Sequence, residues 1–268
     1  MNQQTHQETI QVPYPDSEPR QLVLKCNGCR LSLNAAEAAH WITGTSTYQR
    51  PPGPQISQTG GETRIEQNYP RSELTNMFRV AKDSPHLDLS VSAAQAFALA
   101  VSIVSDSAEL NLGGLALDEV RIAAGLGSAE ITFKTPHPGQ LPALEFENLG
   151  GQIELHNAQN AHATTIILGG RMGTTRLYYD SLPSQAGLLV LNADSVATSL
   201  QLPHNIALTI VPGDGITLSD KHITLHPEGR FQRGNEVWAT PAALDSLSPM
   251  LTLRVDSKAP LNINLADE

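Results

Sequence analysis

The stretches AELNLGGLALDEVRIAAGLGSAEITF, residues 108–133, and LEFENLGGQIEL, residues 144–155, decide the fold. Both repeat one short phrase: apolar, polar, apolar, then a turn. Leu110-Asn111-Leu112, Val120-Arg121-Ile122, Ile131-Thr132-Phe133, Leu144-Glu145-Phe146 and Ile153-Glu154-Leu155 are successive copies. Side chains alternate between the two faces of a strand, so each copy sends two residues into a core and one into water. Working outward, the phrase continues through Ile166 and Leu177 to Leu200-Gln201-Leu202 and Ile223-Thr224-Leu225.

Every second copy starts at 110, 131, 153, 177, 200 and 223, in steps of 21, 22, 24, 23 and 23. A steady period of this length is the mark of a stacked coil, in which each repeat rests on its neighbours. Glycines stand between the strands, at Gly113-Gly114, Gly125, Gly127, Gly150-Gly151, Gly169-Gly170, Gly213 and Gly215. The expected fold is therefore all-β, a right-handed parallel β-solenoid with a β-rich amino-terminal portion and a short carboxy-terminal cap of helix and strand.

On that reading residues 1–20, polar and with three prolines, form a loose arm, and residues 21–85 form the β-rich amino-terminal portion. Residues 86–227 carry the repeats and 228–268 the cap. Leu22-Val23-Leu24 and Leu31-Ser32-Leu33 flank Asn27-Gly28, a hairpin signal. Asn34 to Ile42 reads as a helix, with Asn34 as N-cap and Glu37 three residues on. Strands at 55–59 and 63–68 flank Gly60-Gly61 as a second hairpin, and Ser72 to Ala81 has weak helical character. Ala93 to Val104 fits helix or strand. Thr240-Pro241 opens a short helix over 241–247, and 251–255 and 261–265 are terminal strands that cover the end of the stack.

The phrases around Leu22 to Gln67, namely LSLN at 31–34 and GGETRIEQ at 60–67, together with HLDLSVSAAQ at 86–95 and the two opening stretches, resemble bacterial toast-rack domains. These are relatives of adhesin-type β-solenoids and of the LiaF-type regulators of cell-envelope stress. The resemblance runs over most of residues 21–180. It implies a solenoid without catalysis and supplies no functional residues. LiaF-type members generally carry membrane helices; this sequence shows none, so the resemblance does not bring a membrane-sensor role with it.

Composition narrows the function. The net charge is −10 and no Lys/Arg cluster stands out, which argues against nucleic acid and against anionic lipid. The longest apolar run, Ala96 to Val104, is far shorter than a membrane span. The first residues lack the charged start and apolar middle of a signal peptide, so a cytoplasmic location is expected.

Few residues carry chemistry. Cys26 and Cys29, in a CxxC, read as structural, as a redox or disulfide pair, or as half of a metal site. No second ligand pair accompanies them, and no metal or cofactor is expected. Glu145, Glu147 and Glu154 occupy outward positions and are expected to form one acidic face, either a solvated surface or, in a carbohydrate-active or glycan-binding solenoid, a working one. Asp118, Glu119 and Asp214 read as turn residues, and Tyr178-Tyr179 and Trp238 as packing or cap residues or, in a chain this poor in aromatics, as a contact surface. Gly125-Leu126-Gly127-Ser128 lacks the third glycine and helix of a dinucleotide loop, and no P-loop occurs. The leading expectation is a non-enzymatic structural or interaction domain with a protein partner. Homo-oligomerisation stays open.

Overall fold

The computed structural model describes residues 5–49, 52–68, 84–234, 236–245 and 250–266. The chain opens with β1 (His6–Val12) and a coil of two strands, β2 (Gln21–Asn27) and β3 (Arg30–Ala36). β4 (Ile42–Tyr48) and β5 (Gln55–Thr59) lead into a second coil, β6 (Glu62–Asn68) and β7 (His86–Ser92). Regular coils follow as β8 (Phe97–Ser105) with β9 (Ser107–Asn111), and β10 (Leu117–Ala124) with β11 (Ser128–Thr132). Two continuous 16-residue strands, β12 (Leu141–His156) and β13 (Ala163–Tyr178), each make a coil alone. Then come β14 (Gly187–Ala193) with β15 (Ala197–Leu202), and β16 (Ala207–Pro212) with β17 (Ile223–His226). β18 (Gln232–Arg233), β19 (Trp238–Ala239) and the single-turn helix α1 (Pro241–Leu244) precede the last coil, β20 (Met250–Val255) and β21 (Leu261–Leu265).

Strand pairing forms two faces. The first runs β5–β6–β2–β8–β10–β12–β13–β14–β20–β16–β19–β18. The second runs β1–β4–β7–β3–β9–β11–β12–β13–β15–β21–β17. β12 and β13 bend at a corner and take part in both. All pairs are parallel except those made by β1, β4, β5, β18 and β19 at the ends. The fold is a β-solenoid, as the repeat predicts.

Register shows why. Val101, Ile122, Phe146, Leu168 and Leu191 lie opposite one another on the first face, so successive coils advance 21, 24, 22 and 23 residues. On the second face Leu33, Leu110, Ile131, Leu155, Leu177, Leu200 and Ile263 form a matching column, every one of them buried. Both columns belong to a single core reaching from Ile10 to Leu265. Full burial of each such aliphatic side chain stabilises by about 1.5–3 kcal/mol, which lets parallel strands with little local pairing hold together.

One corner of each coil is tight. In β12 the buried Asn148 organises it. Its Oδ1 accepts the N–H groups of Gly150 (3.2 Å) and Gly151 (2.9 Å), and its Nδ2 donates to the carbonyls of Gly151 (3.2 Å) and of Thr174 in the next coil (2.9 Å). The bend turns the strand from one face to the other without orphaning these backbone groups.

Several local expectations are corrected. β2 and β3 do not form a hairpin: Leu24 pairs in parallel with Ile65 and Val101, and Leu33 with Leu89 and Leu110, so Asn27-Gly28 is a solenoid corner. Residues 34–42 are not helical; Asn34 to Ala36 complete β3, whose place between β7 and β9 overrides alanine's helix propensity. Within residues 93–104 the strand β8 starts at Phe97, and its alternating burial shows an inward and an outward side. The expected loose arm holds β1, which pairs with β4 and buries Ile10 and Val12. The expected helix at Ser72 to Ala81 lies outside the described residues.

The ends of the stack also differ from expectation. β20 and β21 do not cover the end; they lie between the coils β14–β15 and β16–β17. Likewise β2–β3 lies between β6–β7 and β8–β9. The first and last coils in sequence are interior coils in space.

Candidate interaction surfaces

At the tight corner, four consecutive coils each put one large aliphatic side chain into water. These are Val104, Leu126, Leu149 and Met172, with exposures of 48, 76, 42 and 58 %. The Leu126 N–H donates to the Val104 carbonyl at 2.8 Å, and Leu149 is the register partner of Met172. Leu126 reaches over Gly150, where a Cβ would meet its Cδ2 at 3.2 Å. The four form a continuous apolar rib along the solenoid axis. Isolated exposed aliphatics are ordinary, whereas a contiguous row marks a contact surface. Sequence reasoning missed this rib. Its signal is a bulky apolar residue beside corner glycine, as in Gly125-Leu126-Gly127, Leu149-Gly150 and Met172-Gly173.

The single acidic face expected from Glu145, Glu147 and Glu154 does not exist. Glu145 and Glu147 point out from the first face and Glu154 from the second, because the bend at Gly150-Gly151 separates them. Glu145 faces Arg121 at 3.2 Å, and Arg121 also holds Glu119 at 2.7 Å. Glu154 contacts Arg176 at 2.5 Å and His156 at 3.6 Å. Burial raises the Glu154 carboxyl, but its hydrogen bonds with Gln152 and Arg176 outweigh that and hold it below the usual carboxylate range. A general acid needs the opposite shift.

A different acidic row is present. Glu109, Glu130 and Glu154 are in register on adjacent strands of the second face. With Asp88, Ser32, Asn34 and Lys134, Glu109 and Glu130 line a shallow hollow of about 240 Å³. Its charge repels anions, in keeping with the overall balance. Among the described residues no three His, Cys, Asp or Glu side chains are grouped to hold a metal ion.

The neighbouring row on this face is polar and mostly uncharged. Asn111, Thr132 and His156 are in register, and so are Tyr178, Gln201, Asn264 and His226. The His156 and Tyr178 rings join the two runs by stacking, with centroids 4.5 Å apart and planes 5° from parallel. That separation is close to the spacing of neighbouring strands, so the rings stack along the solenoid axis.

Cys26 and Cys29 sit where β2 turns into β3, with Cα atoms 5.6 Å apart and the sulfurs bonded to each other. Both are buried, and Gly28 between them has φ 69°. Burial keeps this pair from the exchange chemistry of an accessible CxxC. On the first face, Lys25 meets Glu66 at 3.2 Å, and Arg64 spans Glu62 and Glu66. The expected packing role of Trp238 takes the form of a buried ring with the Arg233 guanidinium 5.0 Å above it. Among the described residues no helix is long and apolar enough to cross a membrane.

The family model for the N-terminal domain of toast_rack matches residues 1–138. No curated protein matches the chain. Among solved structures, a candidate cell adhesion protein from Clostridium sporogenes aligns over 98 % of this chain and 100 % of its own, with 12 % identity and a TM-score of 0.52. A candidate adhesin from Bacteroides fragilis covers 98 % of both chains with 6 % identity and a TM-score of 0.45. At such identities the first of these speaks for shared fold alone.

Proposed function

Taking as premise that this chain belongs to the toast-rack family, we propose that it is a non-enzymatic β-solenoid that docks a protein partner along its apolar corner. The observation that carries the reading is the rib of Val104, Leu126, Leu149 and Met172. Four aliphatic side chains kept in water on adjacent coils favour a partner that removes them from it, at about 25 cal/mol per Å² of apolar surface covered. The rib stands on a stiff column of stacked coils, so little ordering of the chain opposes binding. The resemblance to cell-envelope stress regulators supports a signalling protein as the partner.

Catalysis is not part of the reading. The acids that sequence analysis grouped are divided between two faces, and Glu145 and Glu154 each face an arginine. The test is paired capture from native lysate with the wild-type chain, with Leu126→Asp/Met172→Asp, and with Glu109→Gln. A partner held by wild type and Glu109→Gln but lost by the rib variant supports the proposal. A partner set that the rib variant leaves unchanged overturns it.

A further inference from the structure

A second surface differs from the rib in its chemistry. Where Tyr178, Gln201 and Asn264 come into register, they line a hollow of about 250 Å³ together with Asp180 and Pro203. We propose that this hollow binds one ring of a neutral sugar, and that the polar row beyond it holds the rest of an oligosaccharide running along the solenoid axis.

One face of the Tyr178 ring is covered by His156 in a parallel stack. The ring also borders the hollow that Gln201 and Asn264 line. A half-buried aromatic face of this kind, fixed by a neighbour, suits the C–H side of a pyranose. The Gln201 and Asn264 carboxamides each present a donor pair and an acceptor, and neither has a side-chain partner among the described residues. A planar amide that donates and accepts side by side matches adjacent hydroxyl groups.

Other ligand classes fit poorly. No Lys or Arg is among the described residues that line the hollow, so an anion finds no counter-charge there. Among the described residues that line it, the one carboxylate, Asp180, is hydrogen-bonded to the Asn157 carboxamide, which leaves little for a cation. A purely apolar ligand would strand both amides without partners. A neutral molecule with several hydroxyls and one apolar side meets every group present. The row goes on from Asn264 to His226 one strand further, and strands recur every 4.7–4.9 Å or so. That spacing is close to the length of one sugar unit, so successive rings of a linear glycan can meet successive strands.

The experiment is saturation-transfer NMR on the full chain with cellohexaose, xylohexaose, mannohexaose and chitohexaose, and with hexagalacturonate as the charged comparison. Transfer to at least one neutral hexamer is expected, with affinity about tenfold weaker in Tyr178→Ala and in Gln201→Ala. Tyr178→Phe keeps the stack and should stay within about threefold. Gln201 is exposed, so Gln201→Ala decides the matter if Tyr178→Ala fails to fold. No transfer to any neutral hexamer, binding of hexagalacturonate alone, or affinity unchanged in Gln201→Ala overturns the proposal. The rib variant Leu126→Asp/Met172→Asp should bind sugar like wild type, so this site stands or falls apart from protein docking.

Discussion

Asn148 and Gly151 are bonded to each other in both directions: the Asn148 carboxamide accepts the Gly151 N–H at 2.9 Å and donates to the Gly151 carbonyl at 3.2 Å. The same side chain ties Gly150 and the Thr174 carbonyl, so one buried residue fixes a bend and joins two coils. Asn148→Ala would take this partner from several part-buried backbone groups, each at about 1 kcal/mol. The expected loss is about 3 kcal/mol or more, read as a lower urea midpoint with an unchanged slope.

The corner in the next coil makes a second prediction. Gly170 has φ +134°, and a Cβ there would press into the Asn148 carbonyl oxygen. Gly215 has φ +75° with nothing within 4 Å of a Cβ. Gly170→Ala should therefore fail to give folded protein. Gly215→Ala should fold and lose only about 1–2 kcal/mol, the ordinary penalty of a left-handed alanine. Soluble yield and melting temperature separate the two outcomes.

Rib and core residues should respond in opposite ways. Leu126→Ser changes an exposed side chain and should move stability by no more than about 0.5 kcal/mol. Leu110→Ala opens a cavity in the buried column and should cost about 2–5 kcal/mol. Parallel denaturant titrations of the two variants check this.

Acid should weaken the fold partly through Glu154. Its carboxyl is held below the usual range, so its contribution is present above the unfolded value and lost as pH falls through the lower folded one. Melting temperature should thus drop on acidification below about pH 4.5. Glu154→Gln removes the titrating group and should flatten part of that slope, as shown by melting curves of both proteins across the acid range.

The joined sulfurs of Cys26 and Cys29 predict that denatured, unreduced protein takes up no thiol reagent and takes up two equivalents after reduction. Closing so short a loop is worth about 2 kcal/mol in the chain-entropy picture. Cys26→Ser/Cys29→Ser should lose about that much, measured against the oxidised wild type.

Much of this fold is legible in the sequence because two rhythms coincide. Alternation such as Ile153-Glu154-Leu155 identifies a strand and its inward side, and the recurrence of such phrases identifies the coil. The neighbours of a given strand are harder to read. Leu24 pairs with Ile65 on one side and Val101 on the other, and nothing local distinguishes those partners from any other aliphatic residue. The acidic face is illegible for a related reason. Alternation counts carry from Glu145 to Glu154 only along a straight strand, and Gly150-Gly151 turns the chain onto another face. At Gly125-Leu126-Gly127 the glycines draw the eye to a nucleotide loop, whereas the bulk of Leu126 between them is the informative part.

The placement of the first and last coils inside the stack limits how a protein of this kind can change size. A segment appended after β21 starts beside an interior coil whose neighbours, β15 and β17, are already taken, so it cannot prolong the rod. A longer version is reached more simply by duplicating a unit such as β10–β11 within the middle, where a new coil finds a partner above and below and carries the rib one step further.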